Sequence, residues 1–418
     1  MNVKGTRDFF PEEMILRQQV LEKIKKVFET FGFQPLETPA LEAWEVLSAK
    51  GAGGEEILNE TYNFEDKGGR KIGLRYDLTV PLARVIADNP NLPLPFKRYQ
   101  IEKVWRYADV TRGRMREFLQ ADIDIVGSES SLADSEIIAC AIECFNVLGF
   151  KNFILRLNDR KILTGILKSS GINEKKSADV LRTIDKLDKV GVAGVKKELE
   201  EKGISKDSIK KIIEFIEIKG EPEKVFKEIE NLEGAKELKE IISYLKTLRF
   251  DSKVKIDLSL ARGLDYYTGP IFEVFAEEGI GSLAGGGRYD KMIGFFLGRE
   301  ISATGISLGI ERIMEVMKER KMIDEIKNKT KVFVVAVNDK MRDKVLEIVQ
   351  ILRSKSIATD YDLRFRNLSK QLDYVNSLGI PFAVIVGPTE LEKNSVKLRN
   401  MKTGKEELAK INEITRFL

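Results

Sequence analysis

Histidine is absent from this sequence of 418 residues, and cysteine occurs only twice. The chain therefore lacks the commonest metal ligand of proteins and the usual side-chain base at neutral pH, and we expect no side chain to titrate between roughly pH 6 and 7. Cys140 and Cys144 lie one helical turn apart in an apolar segment, so we expect small buried side chains and no zinc site. Any chemistry of this chain must rely on carboxylates, arginines and a bound metal ion.

Long apolar segments are also missing. The apolar run 332–337 is far shorter than the roughly 20 residues that cross a bilayer. The first residues are polar and show no apolar core of a signal peptide, so we expect a cytoplasmic protein that does not bind membranes. A hydrophobic content of 43% with 33% charged residues is typical of a globular protein, and the length favours two to three domains.

The phosphate-binding motif GxxxxGK[ST] is absent, which excludes a P-loop nucleotidase. Residues 279–284 match a relaxed dinucleotide-binding pattern, but three more glycines follow at 285–287, where a helix would have to begin. We expect these glycines to allow close approach of the backbone to a ligand, or a tight entry into a strand.

The composition and the hydrophobic pattern change along the chain. Helix 12–30 and alternating strands fill the first part, and a segment rich in Lys, Glu, Ile and Leu at helical spacing follows. Strands then resume, and a helix is predicted from Ile306 to Arg320. From 330 onward, strands alternate with helices, which predicts a separate α/β domain with a mainly parallel sheet. Its small surplus of positive charge fits an ordinary lysine-rich surface as well as it fits nucleic acid.

Two predicted strands carry polar side chains on one face. In the strand at 116–125, Phe118, Gln120, Asp122 and Asp124 share a face opposite an apolar one. A strand at 72–79 is predicted to do the same with Arg75, Asp77 and Thr79. A solvent-exposed sheet face would explain either pattern, but two acidic faces with an aromatic residue and a glutamine favour a polar pocket.

An arginine-rich hairpin is predicted between these strands. Residues 97–116 contain five arginines and two lysines against two acidic residues, with a turn at 111–114. Because planar guanidinium groups bind phosphate and carboxylate through two hydrogen bonds, this hairpin is suited to a nucleoside triphosphate.

The segment Leu260–Gly269, LARGLDYYTG, places one arginine beside two tyrosines between predicted strands. Together with Ala284–Asp290, it resembles the two signature peptides of the histidyl-tRNA synthetase family. Residues 31–42, 104–118 and 305–312 resemble the three motifs of class II synthetases. The five segments occur in the family's order, and the resemblance covers nearly the whole chain.

The resemblance implies an α+β catalytic domain with an antiparallel sheet flanked by helices, a helical insertion and a C-terminal α/β anticodon-binding domain. The implied boundaries are 1–170 and 251–325 for the two catalytic parts, 171–250 for the insertion and 330–418 for the last domain. The implied reaction joins L-histidine to ATP as histidyl-adenylate, releases pyrophosphate and transfers histidine to the 3′ end of its tRNA. Mg²⁺ is expected to bridge the outgoing phosphates, and motif 1, residues 31–42, is expected to form a homodimer.

The resemblance also implies residue roles on the ATP side. Arg262 is the catalytic arginine, stabilising charge that develops on the α-phosphate, and Arg106 holds the α-phosphate and the substrate carboxylate. Phe118 stacks on adenine, and Arg312 covers the other adenine face and approaches the γ-phosphate. The expected ATP-binding residues are Arg106, Arg114, Phe118 and Arg312.

On the amino-acid side, Asp77, Thr79 and Gln120 are expected to bind the α-amino group, while Asp124 and Tyr267 bracket the imidazole. A carboxylate and a phenol can read the donor and acceptor nitrogens of a neutral imidazole. Asp77 departs from the pattern of many bacterial members of the family, which have glutamate at this position. The sequence around Asp77 is similar to that of archaeal and eukaryotic members. The expected histidine-binding residues are Asp77, Thr79, Arg106, Gln120, Asp124, Arg262, Tyr266 and Tyr267.

Two other functions remain open. One is an inactive relative of the synthetases that serves as a regulatory subunit in histidine biosynthesis, although such proteins commonly lack the C-terminal domain and key active-site residues. The other is a synthetase for a different amino acid, which the peptide 262–269 argues against.

Overall fold

The structure, a computed structural model, describes residues 1–49, 55–111, 113–261, 266–276, 281–322, 327–364 and 366–416. Contacts divide the chain into two compact units, Met1–Arg7 with Leu21–Met322 and Asp8–Val20 with Ile323–Leu418. The strands are β1 (Gln34–Pro35), β2 (Leu41–Ala43), β3 (Asn63–Glu65), β4 (Lys71–Leu74), β5 (Phe96–Trp105), β6 (Glu117–Val126), β7 (Phe153–Asp159), β8 (Val254–Ile256), β9 (Pro270–Ala276), β10 (Ser282–Arg288), β11 (Ala303–Gly309), β12 (Val332–Ala336), β13 (Thr359–Tyr361), β14 (Phe382–Val386), β15 (Ser395–Asn400) and β16 (Glu406–Lys410). The helices are α1 (Pro11–Thr30), α2 (Trp44–Leu47), α3 (Glu55–Asn59), α4 (Thr79–Asp88), α5 (Ser131–Val147), α6 (Arg160–Ser169), α7 (Glu174–Ile184), α8 (Leu187–Glu201), α9 (Lys206–Ile216), α10 (Pro222–Ile229), α11 (Ala235–Thr247), α12 (Gly294–Leu297), α13 (Ile310–Glu319), α14 (Arg342–Ser354), α15 (Leu368–Ser377) and α16 (Pro388–Leu391).

An eight-stranded sheet forms the centre of the first unit, in the order β1-β5-β6-β11-β10-β9-β7-β8. Its strands pair antiparallel from β5 to β7, and the outer pairs β1 with β5 and β7 with β8 are parallel. Helix α5 contacts β6 and β11 and begins where the Ser130 side chain accepts a hydrogen bond from the Leu132 backbone N–H. Cys140 and Cys144 lie buried and unbridged in α5, which confirms the prediction that they pack as small buried residues.

The lysine- and glutamate-rich segment forms the consecutive helices α7 to α11. Their apolar stripes pack together, as in α9, where Ile209, Ile212, Ile213 and Ile216 are all buried at the spacing that the sequence indicates. Polar side chains begin two of these helices. Asn173 Oδ1 accepts a hydrogen bond from the Lys175 N–H at the start of α7, and the Ser205 hydroxyl accepts one from the Ser208 N–H at the start of α9.

Two predicted elements of this unit are wrong. The helix predicted from Ile306 begins at Ile310, because residues 303–309 pair with β6, and residues 304–308 also pair with β10, so that this segment is held as a central strand. The strand predicted over 72–79 ends at Leu74, and Thr79 is instead the first residue of α4. The Asp77 carboxylate accepts a hydrogen bond from the Val80 N–H at 3.1 Å, which favours a helix start over continued strand.

The second unit contains a five-stranded sheet in the order β13-β12-β14-β15-β16. The prediction of a mainly parallel sheet is correct only for the first three strands, because β15 and β16 form an antiparallel hairpin at the other edge. Both faces of β12 are apolar and buried, one beneath α14 and the other beneath α15. Over the ranges that the structure describes, no helix is long and apolar enough to cross a membrane.

Candidate active site

Strand β6 supplies one wall of a cleft in the first unit. Phe118, Gln120, Asp122 and Asp124 all line this cleft, as their alternation in the sequence predicts, while the residues between them are buried on the other face. Strand β6 lies between β5 and β11, and the register places Arg98 and Gly305 beside Asp124 on the two neighbouring strands. Because the pairing on both sides fixes the strand, these side chains have fixed positions along the cleft.

The turn before α4 supplies the next part of the wall. Asp77 and Thr79 both line the cleft, although a helix start and not a strand brings them there. Burial raises the pKa of Asp77 to about 6, against hydrogen bonds from the Val80 and Thr79 backbone and the positive charge of Arg106. A cationic group of a ligand would therefore stabilise the ionised carboxylate of Asp77.

Asp122 and Asp124 are both almost completely buried. Burial raises the pKa of Asp122 to about 7, although the Arg98 charge and a hydrogen bond from Ser307 oppose the rise. Burial also raises the pKa of Asp124, against the Arg98 charge and a hydrogen bond from Tyr289. The expectation from the sequence that no side chain titrates between pH 6 and 7 is therefore wrong, because it assigned ordinary pKa values to buried carboxylates.

Three tyrosines gather opposite β6. The rings of Tyr266 and Tyr267 have centroids 4.7 Å apart, and Tyr266 meets Tyr289 edge to face at 6.1 Å. All three line the cleft, and the Tyr289 hydroxyl donates a hydrogen bond to Asp124 Oδ1. The aromatic side of the cleft thus contacts the acidic side directly.

The opposite end of the cleft is lined by arginines that are less buried. Arg106 Nε donates a hydrogen bond to the Tyr76 carbonyl at 2.9 Å, and its guanidinium carbon lies 5.4 Å from the centroid of Phe118. Arg312 Nη1 donates to the Ser282 carbonyl at 2.8 Å. Arg114 is exposed and pairs with Glu60 at 3.3 Å. All three arginines line the cleft together with Phe118, so this part of the cleft is suited to phosphate and a planar ring.

Arg262 lies outside the described residues, but the segments on either side of it are anchored. Asn158 Nδ2 donates to the carbonyls of Leu258 and Leu260, and Arg160 Nη1 donates to that of Ala261. On the other side, the Arg160 N–H donates to the Gly269 carbonyl. The start of α6 therefore holds both ends of the peptide that contains Arg262.

Glycines allow the strands to approach the acidic side of the cleft closely. A Cβ atom at Gly305 would collide with the Asp124 carboxylate, and one at Gly286 would collide with the backbone of Gly305 on the paired strand. The glycine run is thus part of sheet strand β10, which agrees with close backbone approach and excludes the dinucleotide-binding helix.

Every site residue predicted from the sequence that the structure describes lies in the same cleft. These residues are Asp77, Thr79, Arg106, Arg114, Phe118, Gln120, Asp124, Tyr266, Tyr267 and Arg312. Sequence reasoning assigned no role to Arg98 or Tyr289, which contact Asp124, or to the cleft residues Glu273 and Glu311. The alternation of β5 against β6 could have indicated Arg98, because the strand pairing places it opposite Asp124.

The cleft offers few protein ligands for a metal ion. Across the described ranges, no group of three or more acidic or cysteine side chains could hold a metal ion. Glu273 and Glu311 line the cleft, and Glu311 accepts a hydrogen bond from the Leu119 N–H at 2.9 Å. A metal here would need most of its ligands from a substrate.

Known proteins match both units of the chain. Residues 5–313 match the family model of histidyl-tRNA synthetases, and residues 331–418 match that of the anticodon binding domain. A histidine–tRNA ligase of Aeropyrum pernix is 43% identical over 408 residues, which cover 96% of this chain and 93% of the relative. The crystal structure of histidyl-tRNA synthetase from Nostoc sp. PCC 7120 superposes with a TM-score of 0.87 at 33% identity, covering 100% of this chain and 99% of that one.

A further solved structure shares the fold at lower identity. It is described as an ATP phosphoribosyltransferase regulatory subunit/histidyl-tRNA synthetase from Bacillus halodurans C, with a TM-score of 0.75, 21% identity, and coverage of 90% of this chain and 96% of that one. At that identity the likeness is one of fold only. The family models and the relatives above confirm the class II synthetase fold expected from the sequence, and the chain belongs to the histidyl-tRNA synthetase family.

Proposed function

We propose that the cleft carries out the reaction of a histidine–tRNA ligase, in which L-histidine reacts with ATP and is then transferred to its tRNA. The observation that carries this proposal is one continuous cleft with buried carboxylates at one end and arginines around an aromatic ring at the other. The acidic end matches the α-ammonium and imidazole groups of histidine. The arginine end matches ATP.

In the first step, a carboxylate oxygen of histidine attacks the α-phosphorus of ATP, and the bond from that phosphorus to the bridging oxygen breaks. Pyrophosphate leaves with the electron pair. Arg106 would hold the histidine carboxylate and the α-phosphate together, which reduces the entropy cost of the encounter. Arg262 would stabilise the charge that develops on the α-phosphate.

On the nucleotide side, Phe118 would stack on adenine. Arg312 would cover the other face of the ring and reach the γ-phosphate, and Arg114 would contact the phosphates from its exposed position. Mg²⁺ usually takes one or two protein carboxylates and completes its shell with phosphates and water. The cleft fits that pattern with Glu273 and Glu311, and the ion would supply charge neutralisation of the outgoing phosphates.

On the amino-acid side, Asp77, Thr79 and Gln120 would bind the α-ammonium group. Gln120 Oε1 is buried and accepts no hydrogen bond from the residues that the structure describes, so a donor from the substrate would satisfy it. Asp124 and Tyr267, with Tyr266 beside them, would read the two imidazole nitrogens. An amino acid without both groups would leave buried polar atoms unpaired, which selects for histidine.

The second step requires tRNA. We propose that the 3′ end reaches the adenylate in the cleft, while residues 330–418 bind the anticodon. We further propose that residues 1–170 and 251–325 form the catalytic domain, that 171–250 contact the acceptor arm, and that motif 1 at 31–42 forms a homodimer in the cytoplasm. Lys340→Glu, an exposed change in the last domain, should raise the KM for tRNA and leave adenylate formation unchanged.

The direct test is exchange of radiolabelled pyrophosphate into ATP, measured with and without L-histidine. Histidine-dependent exchange followed by charging of histidine tRNA is the expected result. Exchange that requires another amino acid would assign a different synthetase, and absence of exchange with every amino acid would favour a regulatory relative. Against that last reading, the cleft retains Arg106 and Arg312, and residues 331–418 match the family model of the anticodon binding domain.

A further inference from the structure

Arg98 lies one strand away from the cleft and does not line it. It is fully buried on β5, directly across from Asp124 on β6. Its Nη2 lies 2.8 Å from Asp124 Oδ2 and donates a hydrogen bond to the Leu78 carbonyl at 3.0 Å. Leu78 stands between Asp77 and Thr79, so one guanidinium group contacts both the imidazole side and the amino-group side of the cleft.

The charges around Arg98 are unbalanced. Asp77, Asp122 and Asp124 are buried, and the positive charge of Arg98 opposes the rise in pKa that burial imposes on each of them. Other groups that act on these carboxylates include Arg106 and Tyr76 at Asp77, and Tyr289 at Asp124 and Asp122. The carboxylates also act on one another, since Asp124 and Asp77 raise the pKa of Asp122. Asp122 Oδ1 is buried and accepts no hydrogen bond from the described residues, although Asp122 lines the cleft. Among the described residues, the three carboxylates therefore outnumber the arginines that act on them, and Asp122 Oδ1 can still accept a hydrogen bond from a ligand.

We propose that Arg98 is a positioning residue for histidine, which holds Asp124 and the Asp77–Thr79 turn in place and keeps Asp122 available as a further acceptor for the bound amino acid. This proposal rests on the proposed function. Arg98 touches no substrate; it acts through the carboxylates. Bound histidine adds positive charge beside the three carboxylates, and Arg98 prevents them from taking up protons before histidine arrives.

The proposal predicts a particular kinetic signature. Removing the cation should let the carboxylates protonate at higher pH, so histidine binding weakens while ATP binding does not. Arg98→Met should raise the KM for histidine by about tenfold or more and change the KM for ATP by less than about threefold. The midpoint of the acid limb of kcat/KM for histidine should move upward by about one pH unit or more. Arg98→Lys, which keeps a cation, should fall between Arg98→Met and the unchanged protein.

Asp122→Asn provides a second variant of nearly the same shape. It should weaken histidine binding and remove the part of the acid limb near pH 7, because the group that titrates there is gone. The imidazole of free histidine titrates identically in every assay, so any movement of the midpoint between variants belongs to the enzyme. Exchange of pyrophosphate into ATP over pH 5.5 to 8.5 measures all of these quantities.

Arg288→Met is the matched control. Arg288 is also a buried arginine paired with a buried aspartate, Asp134 at 2.6 Å, but neither residue lines the cleft. It should lower thermal stability without moving the midpoint for histidine. If Arg98→Met folds and keeps the midpoint of the unchanged protein, or loses histidine and ATP affinity equally, the proposal is overturned. If Arg98→Met does not fold, the same outcomes in Arg98→Lys and Asp122→Asn overturn the proposal. Absence of histidine-dependent exchange in the unchanged protein would instead remove the proposed function, and this inference with it.

Discussion

The charged side chains at the two ends of the cleft differ in sign and in burial. At the amino-acid end, Asp77, Asp122 and Asp124 are buried and fixed by strand pairing, a helix start and Arg98. At the nucleotide end, Arg106 and Arg312 are partly exposed, and each donates a hydrogen bond to a backbone carbonyl. Buried charges lose hydration and need a partner, whereas partly exposed arginines remain solvated until a phosphate arrives. The amino-acid end is thus built for selection, and the nucleotide end for charge neutralisation.

Arg262 should give the largest effect of any single change, because its expected role is to stabilise charge that develops mainly in the transition state. Arg262→Ala is expected to lower kcat for adenylate formation by at least about 100-fold while leaving the KM for ATP near its original value. Single-turnover formation of histidyl-adenylate measures this step. Activity within a few fold of the unchanged protein would contradict the catalytic role.

Asp124→Asn tests the amino-acid end. Losing one charge-assisted hydrogen bond, worth roughly 1.5 to 3 kcal/mol, should weaken histidine binding by about 10- to 150-fold and leave ATP binding little changed. Calorimetric titration with each substrate separates the two. Asp134→Asn, a buried aspartate away from the cleft, is the control and should weaken neither. Equal losses for histidine and ATP in Asp124→Asn would indicate a general disturbance of the fold.

Phe118→Leu is the counterpart at the nucleotide end. Stacking of a base on an aromatic side chain is worth about 1 to 3 kcal/mol, so the KM for ATP should rise by about fivefold or more. Leucine keeps the side chain apolar, so β6 should retain its pairing and the KM for histidine should stay nearly unchanged. A larger effect on histidine than on ATP would mean that the two ends of the cleft are not separate.

The pH dependence should distinguish the two ends next. Asp77, with a pKa of about 6, and Asp122, with a pKa of about 7, are ionised above those values and protonate as the pH falls. A cationic amino group binds the ionised forms better, so kcat/KM for histidine should fall by about tenfold between pH 8 and pH 6. The KM for ATP should change little over the same range, because arginines stay charged. A steeper change for ATP would contradict this assignment.

The smallest expected effect is on stability and has the opposite sign to binding. Because the folded pKa of Asp122 lies above its unfolded value, the folded state binds its proton more tightly, and stability falls as the pH rises from about 4 to 7. Asp122→Asn should therefore stabilise the ligand-free protein at pH 8 by at least about 1 kcal/mol while weakening histidine binding. Thermal unfolding at pH 8 and pH 5 checks this. A loss of stability at pH 8 would show that Asp122 is well compensated without ligand.

Several elements could be predicted because their signal is local. The alternation in β6 indicated which side chains share the cleft, since the two faces of a strand follow from its period alone. The strand of β11 could not be recognised, because apolar residues from 306 onward also fit a helix until pairing with β6 and β10 is known. The hairpin of β15 and β16 was missed, since antiparallel edge strands with mixed polarity carry a weak pattern.

The sequence by itself indicated the family, through five ordered segments, and ten of the residues that line the cleft. It also excluded catalysis or metal ligation by a histidine side chain, because the chain has none, and it argued against a zinc site, because the two cysteines lie in an apolar segment. Only the tertiary structure decided the electrostatics. Arg98 is 26 residues from Asp124 in the chain, and strand pairing alone sets its guanidinium 2.8 Å from that carboxylate. The raised pKa values of Asp77 and Asp122 follow from burial, which depends on how many elements pack around a residue and is not a property of the residue itself.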